Sequence, residues 1–226
     1  MDEVGAYTRE VGNVGEGLAL QMCVGLSENT NHNPTVLVLG GSPYFWADLL
    51  LAGRSVVFVY REQNTLRYVR RQLAQLLSDT KIVARQFRIV CRPLESDISD
   101  LAADASAVAV VGLLHHLAQP RVMLSQLLCT GKPLVLLDTT SELMEQTIAE
   151  DGRLYGHICD EHFVCRDAAR KVGFNTKADI LGLLKGKDCA RWPQVVAYPL
   201  PCCWCHPDMP CGHRGRLAWL AAWEGV

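Results

Sequence analysis

The run Pro34-Thr35-Val36-Leu37-Val38-Leu39-Gly40-Gly41-Ser42-Pro43 admits few folds. Pro34 can open a strand but cannot sit inside a ladder. Residues 35–39 are too few for a helix and too uniformly apolar for a half-exposed strand. That leaves a central parallel strand buried on both faces. The strand stops at Gly-Gly-Ser-Pro, where glycine allows a tight turn and the close approach of a ligand to bare backbone. Tyr44, Phe45, Trp46, Leu49, Leu50 and Leu51 then read as a short helix closed by Gly53. Strand, glycine turn and helix form the corner from which open α/β sheets build a cofactor crevice.

The remaining chain repeats that alternation. Residues 15–26 form an amphipathic helix, and 27–33 a polar link. Strands are expected at 55–59, 87–91, 107–111 and 134–137. Between them, Asn64 or Thr65 caps a helix to about Leu77, and Pro120 opens a helix through Leu128. Five strand–helix rounds with short links predict an α/β protein with a doubly wound, mostly parallel sheet and helices on both faces. Right-handed crossovers place the strand ends at residues 40, 60, 92, 112 and 138 on one edge. After Asp138, helices are expected at 142–150 and 160–172. Residues 175–181 and 195–198 read as an antiparallel closing pair, and 217–223 as a short apolar helix. The organisation expected is a helical extension over 1–33, an α/β domain over 34–200, and a Cys/His-rich tail over 201–226.

Of the 226 residues 49% are hydrophobic and 20% charged, and the net charge is −2, so no global field favours nucleic acid or an anionic membrane. Arg67, Arg70 and Arg71 read first as a solvated helix face. No apolar run reaches the roughly 18 residues of a membrane span. The start, with Asp2, Glu3 and Arg9, lacks the pattern of a secretion signal. A cytoplasmic location is therefore expected, with the 10 cysteines reduced, buried or metal-bound.

From residue 34 to about 199 the chain resembles the class I S-adenosylmethionine-dependent methyltransferases. The first strand and its turn look like that family's glycine motif. Val108-Ala109-Val110-Val111-Gly112-Leu113-Leu114-His115-His116-Leu117, then Pro120 and Gly131-Lys132-Pro133, look like its fourth strand, Leu-His-His turn and approach to the fifth strand. Arg170-Lys171-Val172-Gly173-Phe174 is similar to its late helix ending in Ala-Gly-Phe. Only Gly40 keeps its place in the first motif: Ser42 and Tyr44 take later glycine positions, and Val38 stands where an acidic residue is common. The second strand ends in Tyr60, with Glu62 two residues on, where the family has a ribose-binding carboxylate.

The resemblance implies that S-adenosylmethionine lies on Gly40, Gly41 and Ser42, with Tyr60 and Glu62 toward its ribose, Leu94 toward its adenine, and Leu113 lining the pocket. His115 and His116 lie at the same edge as candidate bases, or they fix the loop by hydrogen bonding. Asp138 reads as a cap or turn residue rather than a catalyst. In the tail, Cys202, Cys203, Cys205, His206, Cys211 and His213 crowd zinc-ligand types into twelve residues. Cys203, Cys205, Cys211 and His213 are the preferred set for a structural zinc. A second cluster, His157, Cys159, His162 and Cys165, is a weaker candidate.

The functional expectation is a methyltransferase of unknown acceptor, with RNA suggested by the tail and by the arginines near Arg67 and Arg214. The alternative is a methyltransferase-like binding or scaffold subunit that has lost the cofactor and works with a protein partner. A nicotinamide-dependent oxidoreductase fits less well, because its Gly-x-Gly-x-x-Gly turn is absent.

Overall fold

The computed structural model describes residues 14–28, 34–60, 69, 71, 73–75, 86–93, 96–114, 117, 119–138, 182, 191–198 and 216–225. Its elements in chain order are α1 (Val14–Ser27), β1 (Thr35–Gly40), α2 (Pro43–Leu51), β2 (Ser55–Tyr60), β3 (Phe87–Cys91), α3 (Ser99–Ala103), β4 (Ala107–Val111), α4 (Pro120–Cys129), β5 (Leu134–Asp138), β6 (Arg191–Tyr198) and β7 (Arg216–Trp223). Residues 69, 71 and 73–75 are helical, inside the helix expected after β2.

Seven strands form one sheet in the order β3-β2-β1-β4-β5-β7-β6. The strands β1 to β5 pair in parallel. Strand β7 runs antiparallel to both of its neighbours, β5 and β6. Six strands therefore point one way and β7 alone points back. The chain leaves β1 toward β2 and β3 on one side, then returns to lay β4 on the other. The order reverses between β1 and β4, and open α/β sheets bind ligands at such a reversal, beyond the strand carboxyl ends.

The central strands β1, β4 and β5 are buried on both faces, as their uniformly apolar sequences require, whereas the edge strand β3 is only partly buried. One face carries Val36, Val38, Val56, Phe58, Ala109, Val111, Val135, Leu137, Leu220 and Ala222, packed with Ala19, Leu20, Met22 and Cys23 of α1 and Phe45, Trp46, Leu49 and Leu50 of α2. The alternate residues, Leu37, Leu39, Val59, Val108, Val110, Leu134, Leu136, Ala221 and Trp223, meet Ile98 and Ala102 on one side of the chain and Met123, Leu124, Leu127 and Leu128 of α4. The period of two assigns successive side chains to opposite helical layers. Burial leaves the Cys23 thiol strongly shifted up, so it stays a neutral packing group.

One expectation about the chain's end is corrected. Residues 217–223 are not a helix but most of β7, with Leu220 and Ala222 on one core face and Ala221 and Trp223 on the other. Their alanines favour helix in isolation, but a strand between β5 and β6 buries both sides of the run, and that burial outweighs propensity. Residues 195–198 pair with 216–219 of β7, in the register Val195↔Trp219 to Tyr198↔Arg216, and 175–181, expected as their partner, lie outside the described residues. The helices expected at 142–150 and 160–172 lie outside the described residues.

Candidate functional site

The reversal between β1 and β4 brings two turns side by side. Strand β1 ends in Gly40 (φ +82°) and Gly41 (φ +77°), and β4 is followed by Gly112 (φ +60°). All three are in the left-handed region that glycine enters without a Cβ penalty. At Gly40 the demand is also one of space: a Cβ there would lie 2.1 Å from the Val111 carbonyl oxygen and 3.2 Å from Cβ of Leu113. The turns touch through bare backbone. Gly41 N donates to Val111 O at 2.7 Å, and Gly112 N donates to Leu137 O at 2.8 Å, so three strand ends are stitched together.

Ser42 caps α2. Its extended backbone (φ −86°, ψ 161°) and Pro43 at the first helical position are a standard helix start, and its hydroxyl accepts from Phe45 N at 3.3 Å. The indole Nε1 of Trp46 reaches back to Gly40 O at 2.9 Å, and its ring lies against Phe58 with centroids 4.1 Å apart. Two buried carboxylates complete the arrangement. Glu16, fully buried in the first turn of α1, accepts from Ser42 N at 2.9 Å and from Ser42 Oγ at 2.5 Å. Asp138, at the end of β5 and 1% exposed, accepts through Oδ2 from Leu113 N at 2.8 Å and Leu114 N at 2.6 Å.

Each turn is thus gripped by one acid. The N–H groups of Gly41, Ser42, Gly112, Leu113 and Leu114 all donate inside the protein. At the head of α2, Pro43 has no N–H, while Phe45 and Trp46 donate to Ser42. Among the described residues these turn amides are thus already engaged inside the protein.

The structure brings Gly40, Gly41, Ser42 and Leu113 together as expected, with Leu113 8% exposed beside the glycine turn. Tyr60 ends β2, its backbone opposite Cys91, on the same edge. Glu62, Leu94, His115 and His116 lie outside the described residues, as do Cys203, Cys205, Cys211, His213 and the cluster of His157, Cys159, His162 and Cys165. Among the described residues, no group of three or more His, Cys, Asp or Glu is placed to hold a metal ion. None of the described helices is long and apolar enough to cross a membrane. Glu16 is the residue that sequence reasoning missed. Its one signal is being the sole charge in the segment Val-Gly-Glu-Gly-Leu-Ala-Leu-Gln-Met-Cys-Val-Gly-Leu-Ser of α1.

The loop after β3 forms a third corner of this edge. Arg92 donates to Asp100 Oδ1 at 2.6 Å and to Asp97 O at 3.2 Å, and Asp97 accepts from Ser99 N at 2.9 Å. The hydrogen bond from Arg92 holds the Asp100 carboxyl below the usual range, and the Ser99 hydroxyl and amide do the same for Asp97. Arg54 anchors α1 from its other end, donating to Ser27 Oγ at 2.8 Å and to Val24 O at 3.1 Å.

The fold matches solved structures across nearly the whole chain. Magnesium protoporphyrin IX methyltransferase (ChlM) from Synechocystis PCC 6803, with bound SAH, aligns at a TM-score of 0.55 and 14% identity, over 98% of this chain and 94% of that one. The N-terminal domain of EvdMO1 with SAH bound aligns at 0.52 and 13% identity, over 92% and 81%. No family model matches the sequence, and no curated protein matches it. The chain has the fold of the class I S-adenosylmethionine-dependent methyltransferases.

Proposed function

We propose that this protein is a methyltransferase that takes S-adenosylmethionine at the crevice between the ends of β1 and β4. The observation that carries the reading is the pair of glycine turns at the β1/β4 reversal, in which the amides of Gly41, Ser42, Gly112, Leu113 and Leu114 are already engaged inside the protein. S-adenosylmethionine carries no phosphate, and its sulfonium and ammonium outweigh its one carboxylate, so it suits a site whose turn amides are spent. A dinucleotide does not, because its pyrophosphate needs free donors at a helix N-terminus. The antiparallel β7 inserted beside β5 also departs from the dinucleotide order, in which all strands follow 3-2-1-4-5-6. Gly40 lets the β1 and β4 turns that form the crevice meet, since a Cβ there would strike the Val111 carbonyl.

In this reading Gly40, Gly41 and Ser42 hold the methionine part, Tyr60 and Glu62 the ribose, Leu94 the adenine edge, and Leu113 closes one wall. The cofactor supplies an electrophilic methyl group on its sulfonium, and transfer is an in-line displacement that needs alignment before anything else. His115 and His116 follow directly on Leu113 and Leu114, whose amides Asp138 holds. They are the groups proposed to take a proton from the acceptor where it has one to lose. RNA is the acceptor proposed, on the Cys/His tail and on Arg67 and Arg214. A structural zinc on Cys203, Cys205, Cys211 and His213 is proposed to order that tail, and a cytoplasmic location goes with the reduced thiols.

Calorimetric titration of the full chain with S-adenosylmethionine and S-adenosylhomocysteine tests this, with zinc measured on the same sample. The expected dissociation constants are on the order of micromolar. Absence of heat at millimolar ligand, in a folded and zinc-replete sample, would overturn the enzyme and leave a scaffold subunit.

A further inference from the structure

We propose that Glu16 is the positioning residue of the crevice, holding the β1 turn through Ser42 and giving the site its preference for a cationic sulfur ligand over a neutral one. This rests on the cofactor reading above. Strand β1 has no acid of its own at the turn: Val38 is fully buried in the apolar core. The carboxylate comes instead from α1, 26 residues earlier, and reaches Ser42 with both oxygens.

Full burial opposes a charge on this carboxylate, and two helix N-termini oppose that cost. Glu16 stands in the first turn of α1, and the residue it grips is the N-cap of α2, so two helix N-termini converge on one carboxylate. Ser42 Oγ gives its proton to Glu16 and takes the Phe45 amide, which spends that hydroxyl as donor. A fully buried carboxylate thus lies one hydrogen bond from the backbone of the β1 turn. In so dry a place a charge is weakly screened, and it discriminates between ligands that differ by one positive charge. S-adenosylmethionine and S-adenosylhomocysteine are such a pair.

The experiment is calorimetry of both ligands on the unaltered chain, Glu16→Gln and Glu16→Asp, with thermal melts to confirm folding. Glu16→Gln keeps the size and a carbonyl acceptor while removing the charge. It is expected to weaken S-adenosylmethionine on the order of tenfold and S-adenosylhomocysteine less than about threefold. Glu16→Asp retains the charge, so it should keep the ratio of the two affinities even where both fall. An equal loss for both ligands in Glu16→Gln, or no loss, would overturn the inference; so would a ratio that collapses in Glu16→Asp. If the unaltered chain binds neither ligand, the cofactor reading fails first and this inference falls with it. If the unaltered chain binds both and the ratio does not move, the inference alone fails.

Discussion

The two turns of the crevice solve one problem with different parts. Both follow a buried parallel strand, both carry glycine at positive φ, and both have their amides gathered by a buried carboxylate. The β4 turn takes its acid from Asp138, at the end of the adjacent strand β5, so the sheet that forms the turn also holds it. The β1 turn takes its acid from α1, a helix outside the parallel run of strands. One clamp is therefore part of the sheet's own register, and the other depends on docking a separate helix. The difference means that removing the acid of the β1 turn should disturb the sheet less than removing the acid of the β4 turn.

The largest effect expected is at the point where the turns meet. Gly40→Ala places a Cβ 2.1 Å from the Val111 carbonyl and asks alanine to hold φ +82°. Strain at positive φ and overpacking together cost about 3 kcal/mol or more. Backbone cannot yield as a flexible side chain would, so the strands must part. Loss of ligand binding is expected, with a fall in Tm of roughly 6–12 °C, since each kcal/mol is worth about 2–4 °C in a chain of this size. A melt within about 2 °C of the unaltered chain would show that the turns do not press on each other as described.

Asp138→Ala comes next and tests the comparison itself. It leaves the Leu113 and Leu114 amides without their acceptor. Lost hydrogen bonds to a charged group and buried, unsatisfied donors cost about 2 kcal/mol, or roughly 4–8 °C in Tm. Glu16→Gln should cost less, because the amide oxygen still serves Ser42. Should Glu16→Gln prove the more destabilising of the two in melts, the assignment of the sheet-borne clamp as the structural one would be reversed.

How much of this was legible in the sequence follows the same division. Strands β1 to β5 were placed to within a residue, because each is a short, mostly apolar run with Gly, Pro or a charged residue at one end or both. Gly40, Gly41 and Ser42 were legible as a turn, and Asp138 as a helix cap or turn residue, though not as the holder of the β4 turn. Strand β7 was not. Residues 217–223 are almost wholly apolar, and such a run carries neither the period of a helix nor that of a strand when both of its sides are buried. Glu16 was hidden for a different reason: a lone acid in an apolar helix shows that something receives it, but the receiver is 26 residues away. Local pattern does not encode a contact that only docking creates.

The smallest effect separates burial from mere pairing. The loop after β3 is also held by carboxylates, but the side chains of Arg92 and Asp100 are 33% and 61% exposed, so water and salt screen the pair. Because the folded carboxyls of Asp97 and Asp100 titrate below their ordinary 3.8, their contribution to stability is fully present above that pH and fades as pH falls through the lower folded values. Arg92→Gln should let the Asp100 carboxyl rise toward its ordinary value, as followed by NMR titration, and reduce the loss of stability on acidification. Near neutral pH it should leave Tm within the scatter of the melt and ligand affinity nearly unchanged. A shift as large as that of Asp138→Ala would mean that exposure does not set the worth of these clamps, and the contrast between buried and open corners of the crevice would have to be abandoned.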